Sequence, residues 1–376
     1  MNDTAMNESE SQCQSAVLII TNQYFRNILA AEMVIGALAI VPNILILSVI
    51  YRAIVLPPDL RLLLGHLSFI FLWFSIGDII KNAYLLLIDP CSFSLSQRQC
   101  RAFDLATTWL ILPNIYYSLM PLCIERVYAT INYRIYDIAA SRKKPWLAIG
   151  LILCAWLTAG LINGRTLFTL PTDRYVPICD GAFVPAPSNP MATFSTYLGL
   201  EGAAGLATAF VYLYNRHVAR SMAINRAKYD LSSRFQIDQN VQVNALIIPS
   251  MILHFIFHLP SFTMTVILQT PITLPLEVKA CLSRSTILWR LVYALAHPIL
   301  AFYLNAHLKH HLFKGWFGKM LKSCGMKYQR NGNVENGNKY NAAAHFEILE
   351  KLWSTANVPA KRGKRMPEKN VAVKVM

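Results

Sequence analysis

The 376-residue chain has little charge for its length and lacks the motifs of the common enzyme classes. Only 15% of its residues are charged and 55% are hydrophobic, whereas a soluble globular protein is about 25% charged. The sequence contains no HExxH, no GxSxG and no Gly-rich phosphate loop followed by a helix. The low charge excludes an ordinary soluble domain, and no motif favours an enzyme or a resident cofactor.

The cysteines and the basic residues lack two further patterns. The eight cysteines show no CxxC spacing and no paired zinc pattern, so no metal site is predicted. The net charge of +15 comes from Lys and Arg clustered in particular loops and in the tail, without a basic stripe on a soluble fold. A nucleic-acid partner is therefore excluded.

Two longer-range features are also missing from the sequence. Residues 1–27 are polar and lack the apolar run and the cleavage site of a secretory leader, so they are expected to remain as an N-terminal segment. The apolar region shows no internal repeat between its halves, and many secondary transporters are built from duplicated halves. This counts against a transporter.

Seven apolar blocks are long enough to cross the roughly 30 Å hydrocarbon core of a membrane. They predict spans at 28–51, 62–88, 103–127, 146–168, 192–214, 243–269 and 280–304. The fifth is the weakest, because Glu201 interrupts it and three glycines thin its side chains. We therefore predict an all-α membrane protein, a seven-transmembrane helical bundle over 28–304.

The Lys and Arg content of the loops predicts the orientation of this bundle. The short loops at 51–61, 126–145 and 215–242 together contain 12 of these residues, and the short loops on the other side contain 4. Because cytoplasmic loops carry the excess of positive charge, the N-terminal segment 1–27 is predicted to be extracellular. The C-terminus is predicted to be cytoplasmic.

Both ends of the chain agree with this orientation. The sequons at Asn2 and Asn7 can be glycosylated only on the lumenal side. In residues 305–324, apolar side chains recur every four positions opposite lysines, which is typical of an amphipathic helix on an anionic, cytoplasmic leaflet. Cys324 at its end is either a palmitoylation site or a free thiol. Residues 325–376 are predicted to be a largely disordered cytoplasmic tail.

Five cysteines fall on the predicted exterior, where disulfides form. Cys100 precedes the third span and Cys179 lies in the long loop after the fourth, so a bridge between them would hold that loop over the mouth of the bundle. Spacing alone does not fix the pairing, since Cys13, Cys91 and Cys281 compete. Cys13 with Cys281, or Cys91 with Cys13, are candidate second bridges.

Several ionisable residues lie inside the predicted spans, where each costs roughly 2.5–3.5 kcal/mol on insertion scales. Asp78 and Lys81 are one turn apart in the second span, which suggests an intrahelical pair. Arg290 lies near mid-depth of the seventh span, and Asp78 and Glu201 are its available counter-charges. These four residues form structural ion pairs or contact a polar or charged ligand.

Histidines and aromatic residues are candidates for the lining of a pocket. His254 and His258 are four residues apart on the sixth span, hence on one face, before the helix-kinking Pro260. Two histidines make no metal site without a third ligand, so a polar inward face is the preferred interpretation. Four aromatic residues either line an apolar pocket or serve in packing: Trp109, Tyr116, Tyr117 and Trp289.

Glu125 and Arg126 lie at the inner end of the third span. In one interpretation Arg126 extends to the lipid phosphates and Glu125 neutralises it. In the other, the pair is a latch that holds the inner helix ends together until an external ligand loosens them. Adjacent side chains on a helix point about 100° apart, so each needs a further partner.

Three motifs then point to a family. The run ERVYATINYRIYD at 125–137, and DPC at 89–91 with Cys100 before the third span, resemble the nematode serpentine receptors of the alpha and alpha/beta classes. LSSRFQIDQN at 231–240 resembles a stretch that precedes the sixth span in the same superfamily. The resemblance covers about 30–320, and the motifs fall in the expected order.

This resemblance implies a rhodopsin-like helix arrangement and a chemosensory, olfactory type of G-protein-coupled receptor in the plasma membrane. Its partners would be a small-molecule ligand, a heterotrimeric G protein and membrane lipid. Glu125 and Arg126 would take the place of the acidic-Arg-aromatic motif of rhodopsin-like receptors, with Val127 at the aromatic position. His297-Pro298 resembles the Asn-Pro motif, but Tyr303 is two residues too far on. A ligand-gated channel or transporter is the alternative.

The charge distribution gives a first testable prediction. An epitope tag at the N-terminus should be stained on intact cells, because residues 1–27 face the exterior, and a tag at the C-terminus should be stained only after permeabilisation. Immunofluorescence of the two tagged receptors in one cell type makes the comparison. Staining of the C-terminal tag on intact cells would contradict the charge count.

Overall fold

The computed structural model describes the backbone of most of the chain. The described residues are 2–52, 56–87, 91, 96–104, 107, 111–133, 145–169, 176–180, 190–224, 231–269, 273–304, 308, 309 and 312, without the side chains of 2–10, 162–169, 190–194 and several single positions. The chain divides into two compact units, residues 1–328 and 329–376. Every described residue lies in the first of them.

The described part of the chain is α-helical, and it contains ten helices. They are α1 (Asn2–Thr21), α2 (Gln23–Arg52), α3 (Pro58–Leu87), α4 (Gln97–Asp104), α5 (Ile111–Tyr117), α6 (Leu119–Ile131), α7 (Trp146–Thr169), α8 (Pro190–Ile224), α9 (Leu231–Gln269) and α10 (Leu276–Leu304). The prediction of an all-α membrane protein is confirmed. The N-terminal segment is helical over most of its length.

Length and hydropathy identify four of the described helical stretches as membrane spans. They are Gln23–Arg52, Pro58–Leu87, Gln236–Leu268 and Leu276–Leu304, and a shorter apolar stretch covers Trp146–Leu161. These five stretches correspond to the predicted first, second, sixth, seventh and fourth spans. Helix α8, which contains the predicted fifth span, is not in this set; Glu201 and three glycines lie within it.

The third predicted span contains two helices separated by Ser118, whose backbone keeps right-handed helical angles (φ −62°, ψ −27°). Helix α5 ends at Tyr117 and α6 begins at Leu119. Pro121 lies in the first turn of α6, four residues after Tyr117. Proline has no N–H to donate to the carbonyl four residues earlier, and its ring clashes with that carbonyl. The carbonyl concerned is that of Tyr117, so Pro121 leaves this carbonyl without its helical donor. In the same turn, the Ser118 hydroxyl donates to the Ile115 carbonyl at 2.6 Å.

The helices pack as a bundle in which α6 contacts most of the others. Helix α2 packs against α3 and α10, α10 against α9, and α9 against α8, while α7 packs against α3. Helix α6 contacts α3, α7, α8 and α9. We call the end that carries the disulfides Cys13–Cys91 and Cys100–Cys179 the disulfide end. The end where α6 finishes is called the Arg126 end.

The helices bury polar side chains and expose apolar ones, which is the reverse of a soluble bundle. In α2, Glu32 and Asn43 are fully buried, whereas Val34, Leu38 and Val41 are more than half exposed. Long apolar side chains are also exposed at four-residue spacing on α7. Hydrocarbon accepts apolar surface without cost but not unpaired polar groups, so this pattern is typical of helices that face lipid.

Side chains satisfy backbone groups that the helices leave without a partner. Pro298 cannot bond to the carbonyl of Ala294, and the Asn43 amide of α2 donates to that carbonyl at 2.9 Å. At the start of α7, the amide N–H of Ala148 donates to the Asp59 carboxylate of α3 at 2.9 Å. These contacts attach α2 to α10 and α3 to α7.

The chain after α4 passes very close to α3 at Gly77. A Cβ atom at this position would lie 2.8 Å from the carbonyl oxygen of Thr107 and 3.2 Å from its Cα. Both are backbone atoms, so a side chain cannot move aside to make room. The sequence therefore needs glycine here for packing.

We predict that Gly77→Ala destabilises the protein by about 1–3 kcal/mol, the usual cost of overpacking. Thermal unfolding of the purified protein in detergent measures the change. Gly205→Ala on α8 is the matched control, because its Cβ would have no heavy atom within 4 Å. Equal midpoints for the two variants would contradict the close approach.

Candidate functional site

A cluster of buried charged and polar side chains lies toward the disulfide end of the bundle. Helices α2, α3, α4 and α10 and the segment 176–180 contribute to it. We call it the Arg284 cluster; its members are Glu32, Asp78, Lys81, Asn82, Asp104, Asp180, Ser283 and Arg284. Groups of this kind are costly in a membrane unless they are paired.

Arg284 of α10 is the centre of the cluster. Its Nε atom lies 2.8 Å from Oδ2 of Asp180, and its Nη1 atom lies 3.4 Å from Oε2 of Glu32 and 3.5 Å from Oδ1 of Asp78. Nη1 also donates to the side-chain oxygen of Asn82, Oδ1, at 3.0 Å. One guanidinium therefore joins α10 to α2, α3 and the segment that contains Asp180.

The remaining contacts of the cluster connect these partners to one another. The Asn82 amide donates to Glu32 at 2.8 Å and to Asp78 at 3.0 Å, and the Ser283 hydroxyl donates to Asp180 at 2.5 Å. Each carboxylate of this group therefore accepts from at least one neutral donor or from the guanidinium. Such a network holds its members in fixed positions.

The partners of Asp78 and Lys81 differ from the sequence-based interpretation. Lys81 donates to Asp104 of α4, and Asp78 pairs with Arg284 of α10. The suggested pair within α3 is thus replaced by two pairs between separate elements. Both residues are buried on the interior of the bundle, where carboxylates and guanidinium from neighbouring elements are within reach.

The disulfides lie next to the cluster. The structure pairs Cys100 with Cys179, and Asp180 follows Cys179 directly. It also pairs Cys13 with Cys91, while Cys281 is a free thiol, so the alternative Cys13–Cys281 bridge is wrong.

Arg101 lies beside Cys100, outside the predicted spans, and is fully buried. Burial lowers the pKa of its guanidinium to about 10, and the Asp104 carboxylate opposes that shift. Arg101 therefore remains charged at neutral pH, and it adds a cation to the disulfide end.

A second polar group lies deeper in the bundle, between α8, α9 and α10. Oε1 of Glu201 lies 2.6 Å from Nε2 of His254. The rings of His254 and His258 are stacked with centroids 3.9 Å apart, and the Tyr293 ring meets both at 4.9 and 5.6 Å. The prediction that the two histidines share one face and form a polar interior therefore describes what the structure shows. Glu201 pairs with His254, and not with Arg290 as the sequence suggested.

The two predicted aromatic residues whose side chains are described, Tyr117 and Trp289, contact different rings. The Tyr117 ring contacts Tyr197 at 5.4 Å, and Trp289 contacts Phe257 at 5.9 Å. Trp109 lies outside the described residues, and so does the side chain of Tyr116.

Arg290 is buried on α10. A separate apolar cavity lies toward the Arg126 end, and none of these residues lines it; its lining includes Ile46, Leu64, Leu119, Ile247 and Ala301.

A third polar group, at the Arg126 end, joins α6 to α8 and α9. Arg126 pairs directly with Glu125 through two nitrogens, and its Nη1 donates to Oδ1 of Asn240 at 3.3 Å. The Asn240 amide donates to the Ala129 carbonyl at 3.3 Å. The two neighbours were expected to point apart, but the long guanidinium stem bends back to meet the carboxylate.

Other predictions, for the two ends of the chain, concern side chains or residues that lie outside the described part of the structure. The glycosylation sequons at Asn2 and Asn7 begin α1, whose first side chains are not described. Cys324 and nearly all of 305–324 lie outside the described residues, where only Leu308, Lys309 and Leu312 are placed.

Sequence reasoning missed the residues that complete these groups. Glu32 could have been found as the acidic residue inside the first apolar block, and Arg284 as a charge counted within the seventh. Asn240 was visible only as the last residue of LSSRFQIDQN. Asp180 and Tyr293 carry no signal that separates them from ordinary loop and packing residues, because their roles depend on tertiary contacts.

The two disulfides predict the behaviour of cysteine variants. Cys100→Ser and Cys179→Ser should each lower the surface level of the receptor, since each releases the segment that positions Asp180 against Arg284. The double variant should be no worse than either single one, as measured by surface labelling. Adding Cys13→Ser should cause a further loss, because Cys13 belongs to a separate bridge. Additive losses for Cys100→Ser and Cys179→Ser would contradict their pairing.

Comparison with known proteins gives two matches. Residues 10–280 match the family described as "Serpentine type 7TM GPCR receptor class ab chemoreceptor". The chain is also similar to "Serpentine receptor class alpha/beta-14" of Caenorhabditis elegans, at 24% identity over 259 residues. That alignment covers 66% of this chain, and the chain spans 65% of the length of that relative.

The family match covers well over half of the chain and includes α2 through α9. It agrees with the buried charges and exposed apolar faces of the bundle and with the order of the three sequence motifs. The chain belongs to the class ab serpentine receptors, a family of seven-transmembrane chemoreceptors.

Proposed function

We propose that this receptor lies in the plasma membrane, binds an external small molecule and activates a heterotrimeric G protein at the Arg126 end. Membership of a chemoreceptor family supports ligand binding in general. The Lys and Arg excess of the loops at the Arg126 end supports a cytoplasmic position for that end. The disulfide end would then face the exterior, where its cysteines can be oxidised.

The observation that carries the proposal is the hydrogen bonding of Arg126 and Asn240. Arg126 is held by Glu125 of its own helix and reaches across to Asn240 of α9, and Asn240 reaches back to Ala129. A purely interfacial arginine would extend toward the lipid phosphates, but Arg126 is 1% exposed. Its contacts therefore support a role in holding α6 and α9 together.

Helix α8 is attached to the same end of α6. The Asn215 amide donates to the Thr130 hydroxyl at 2.8 Å, and both side chains are buried. Together with Asn240, this bond connects three helices near the predicted cytoplasmic surface. Separation of these helices would break two hydrogen bonds between side chains and one from Asn240 to the Ala129 backbone carbonyl, and it would open a space for a G-protein element.

The proposed mechanism is a shift between two arrangements of the bundle. A ligand that binds the open arrangement more tightly raises its population. Helix α9 contains Pro249 and Pro260, and such residues interrupt the backbone ladder and allow a helix to bend. Motion of α9 about these positions would move Asn240 away from Arg126 while His254 remains among its neighbours in the interior.

The side chains around His254 and Arg290 are the proposed ligand contacts. Glu201, His254 and Arg290 are buried polar groups that lie between the Arg284 cluster and the Arg126 end. Polar groups placed in an otherwise apolar interior give a pocket its specificity. A ligand that contacts them would touch α8, α9 and α10 together, including the helix that carries Asn240.

The experiment that tests this function measures G-protein activation per surface-labelled receptor. Glu125→Gln should raise ligand-independent activation, because it weakens the restraint on Arg126. Arg126→Ala should abolish activation with nearly unchanged surface level. A change of about 1–3 kcal/mol in the free-energy difference between the two arrangements corresponds to a change of roughly 5–150-fold in the ratio of their populations.

Asn240→Ala should act in the same direction as Glu125→Gln, since it removes the bonds to Arg126 and Ala129. Asn244→Ala is the matched control: it lies one turn further along α9, is equally buried, and its amide has no hydrogen-bond partner among the described residues. Unchanged activation per receptor in the Glu125, Arg126 and Asn240 variants would contradict the latch. Ionic current evoked by the same ligand, without nucleotide exchange on the G protein, would favour the channel alternative.

A further inference from the structure

Three side chains that can ligate a metal converge in the middle of the bundle. Glu201 comes from α8, and His254 and His258 lie one turn apart on α9. One ligand atom from each of the three lies within 4.8 Å of the other two, and all three residues are buried. The two histidines alone would make no site, but Glu201 supplies the third ligand that the sequence did not show.

We propose that Glu201, His254 and His258 bind a divalent transition-metal ion of the zinc or copper type. Imidazole nitrogens together with a carboxylate are ligands that both of these ions accept. The protein supplies three ligands, which is the number that leaves a fourth position open in a tetrahedral zinc site. If the proposed receptor function is correct, that position is available to a donor atom of the small-molecule ligand.

The geometry requires only small movements of the side chains. An ion bonded at about 2.0–2.2 Å to each ligand would hold the three ligand atoms roughly 3.3–3.5 Å apart. Oε1 of Glu201 and Nε2 of His254 are now 2.6 Å apart, so the ion would replace their hydrogen bond. Rotation about the side-chain torsions of Glu201 and His258 changes these separations without moving either helix.

The environment of the three residues also suits an ion. The second carboxylate oxygen of Glu201, Oε2, is buried and has no hydrogen-bond partner within the described part of the chain. A bound cation would compensate this oxygen, whose burial otherwise has a cost. The Tyr293 ring packs against both histidines and limits their movement.

The first test measures zinc bound by the purified full-length receptor after equilibrium dialysis, without G protein or odorant. His307, His310 and His311 could bind zinc independently, so all measurements are made in a background in which each of these residues is changed to Gln. We expect about one zinc ion per receptor, and we expect Glu201→Gln and His258→Ala to weaken its binding roughly tenfold or more.

His297→Gln is the matched control, because His297 is a buried histidine that contacts Tyr293 at 5.8 Å but lies outside the three-residue group. Retention of zinc in this control and its loss in the other two variants support the site. Equal zinc binding in all of them, or loss in the control as well, would overturn it. Since no step depends on signalling, a negative result here leaves the proposed receptor function intact.

A second measurement avoids the risk that a variant fails to fold. X-ray absorption of zinc bound to the protein in the same background, with Gln at positions 307, 310 and 311, should show only nitrogen and oxygen ligands, with the outer-shell signals of two imidazoles. Sulfur ligands would place the ion at cysteines, and one or no imidazole would place it elsewhere. Either outcome would overturn the assignment to Glu201, His254 and His258.

Discussion

The burial of Arg284 is the constraint on which the rest of the bundle depends. A guanidinium in a membrane interior must be paired, and its partners here are Glu32, Asp78 and Asp180 from three other elements. Loss of Arg284 would leave three buried carboxylates without the cation that they share, which is strongly destabilising. The positions of α2, α3, α10 and the segment after Cys179 are therefore mutually dependent, and the Cys100–Cys179 bridge acts on the same segment.

The three polar groups lie at three levels along the bundle, around Arg284, around His254 and around Arg126, with apolar packing between them. Tyr293 lies between levels: its ring contacts His254 on one side and Phe71 and His297 on others. One residue further, the carbonyl of Ala294 is bonded to Asn43. A change at the histidines can therefore reach α3 and α2 through direct contacts, and it reaches Asn240 along α9 itself.

The sequence identifies the chemical groups of this site better than it identifies their partners. Insertion costs draw attention to Asp78, Lys81, Glu201 and Arg290 because charged residues are rare in apolar blocks. Their pairing depends on which helices are neighbours, so the proposed Asp78–Lys81 pair was replaced by contacts to Asp104 and Arg284. The fold was predictable for a related reason: block length and hydropathy are local properties, and helix contacts are not.

The prolines in the membrane helices show the same dependence on neighbouring helices in the fold as a whole. Pro121 and Pro298 each leave a carbonyl without its helical partner, and hydrocarbon supplies no water to satisfy it. Asn43 supplies the bond for Ala294, so a single proline makes an amide on another helix necessary. A proline in a span can be recognised in the sequence, but the residue that donates to the carbonyl it leaves free cannot. Prolines and charged residues in the sequence thus indicate which groups need a hydrogen-bond or ionic partner, and only the packed structure determines which residues supply it.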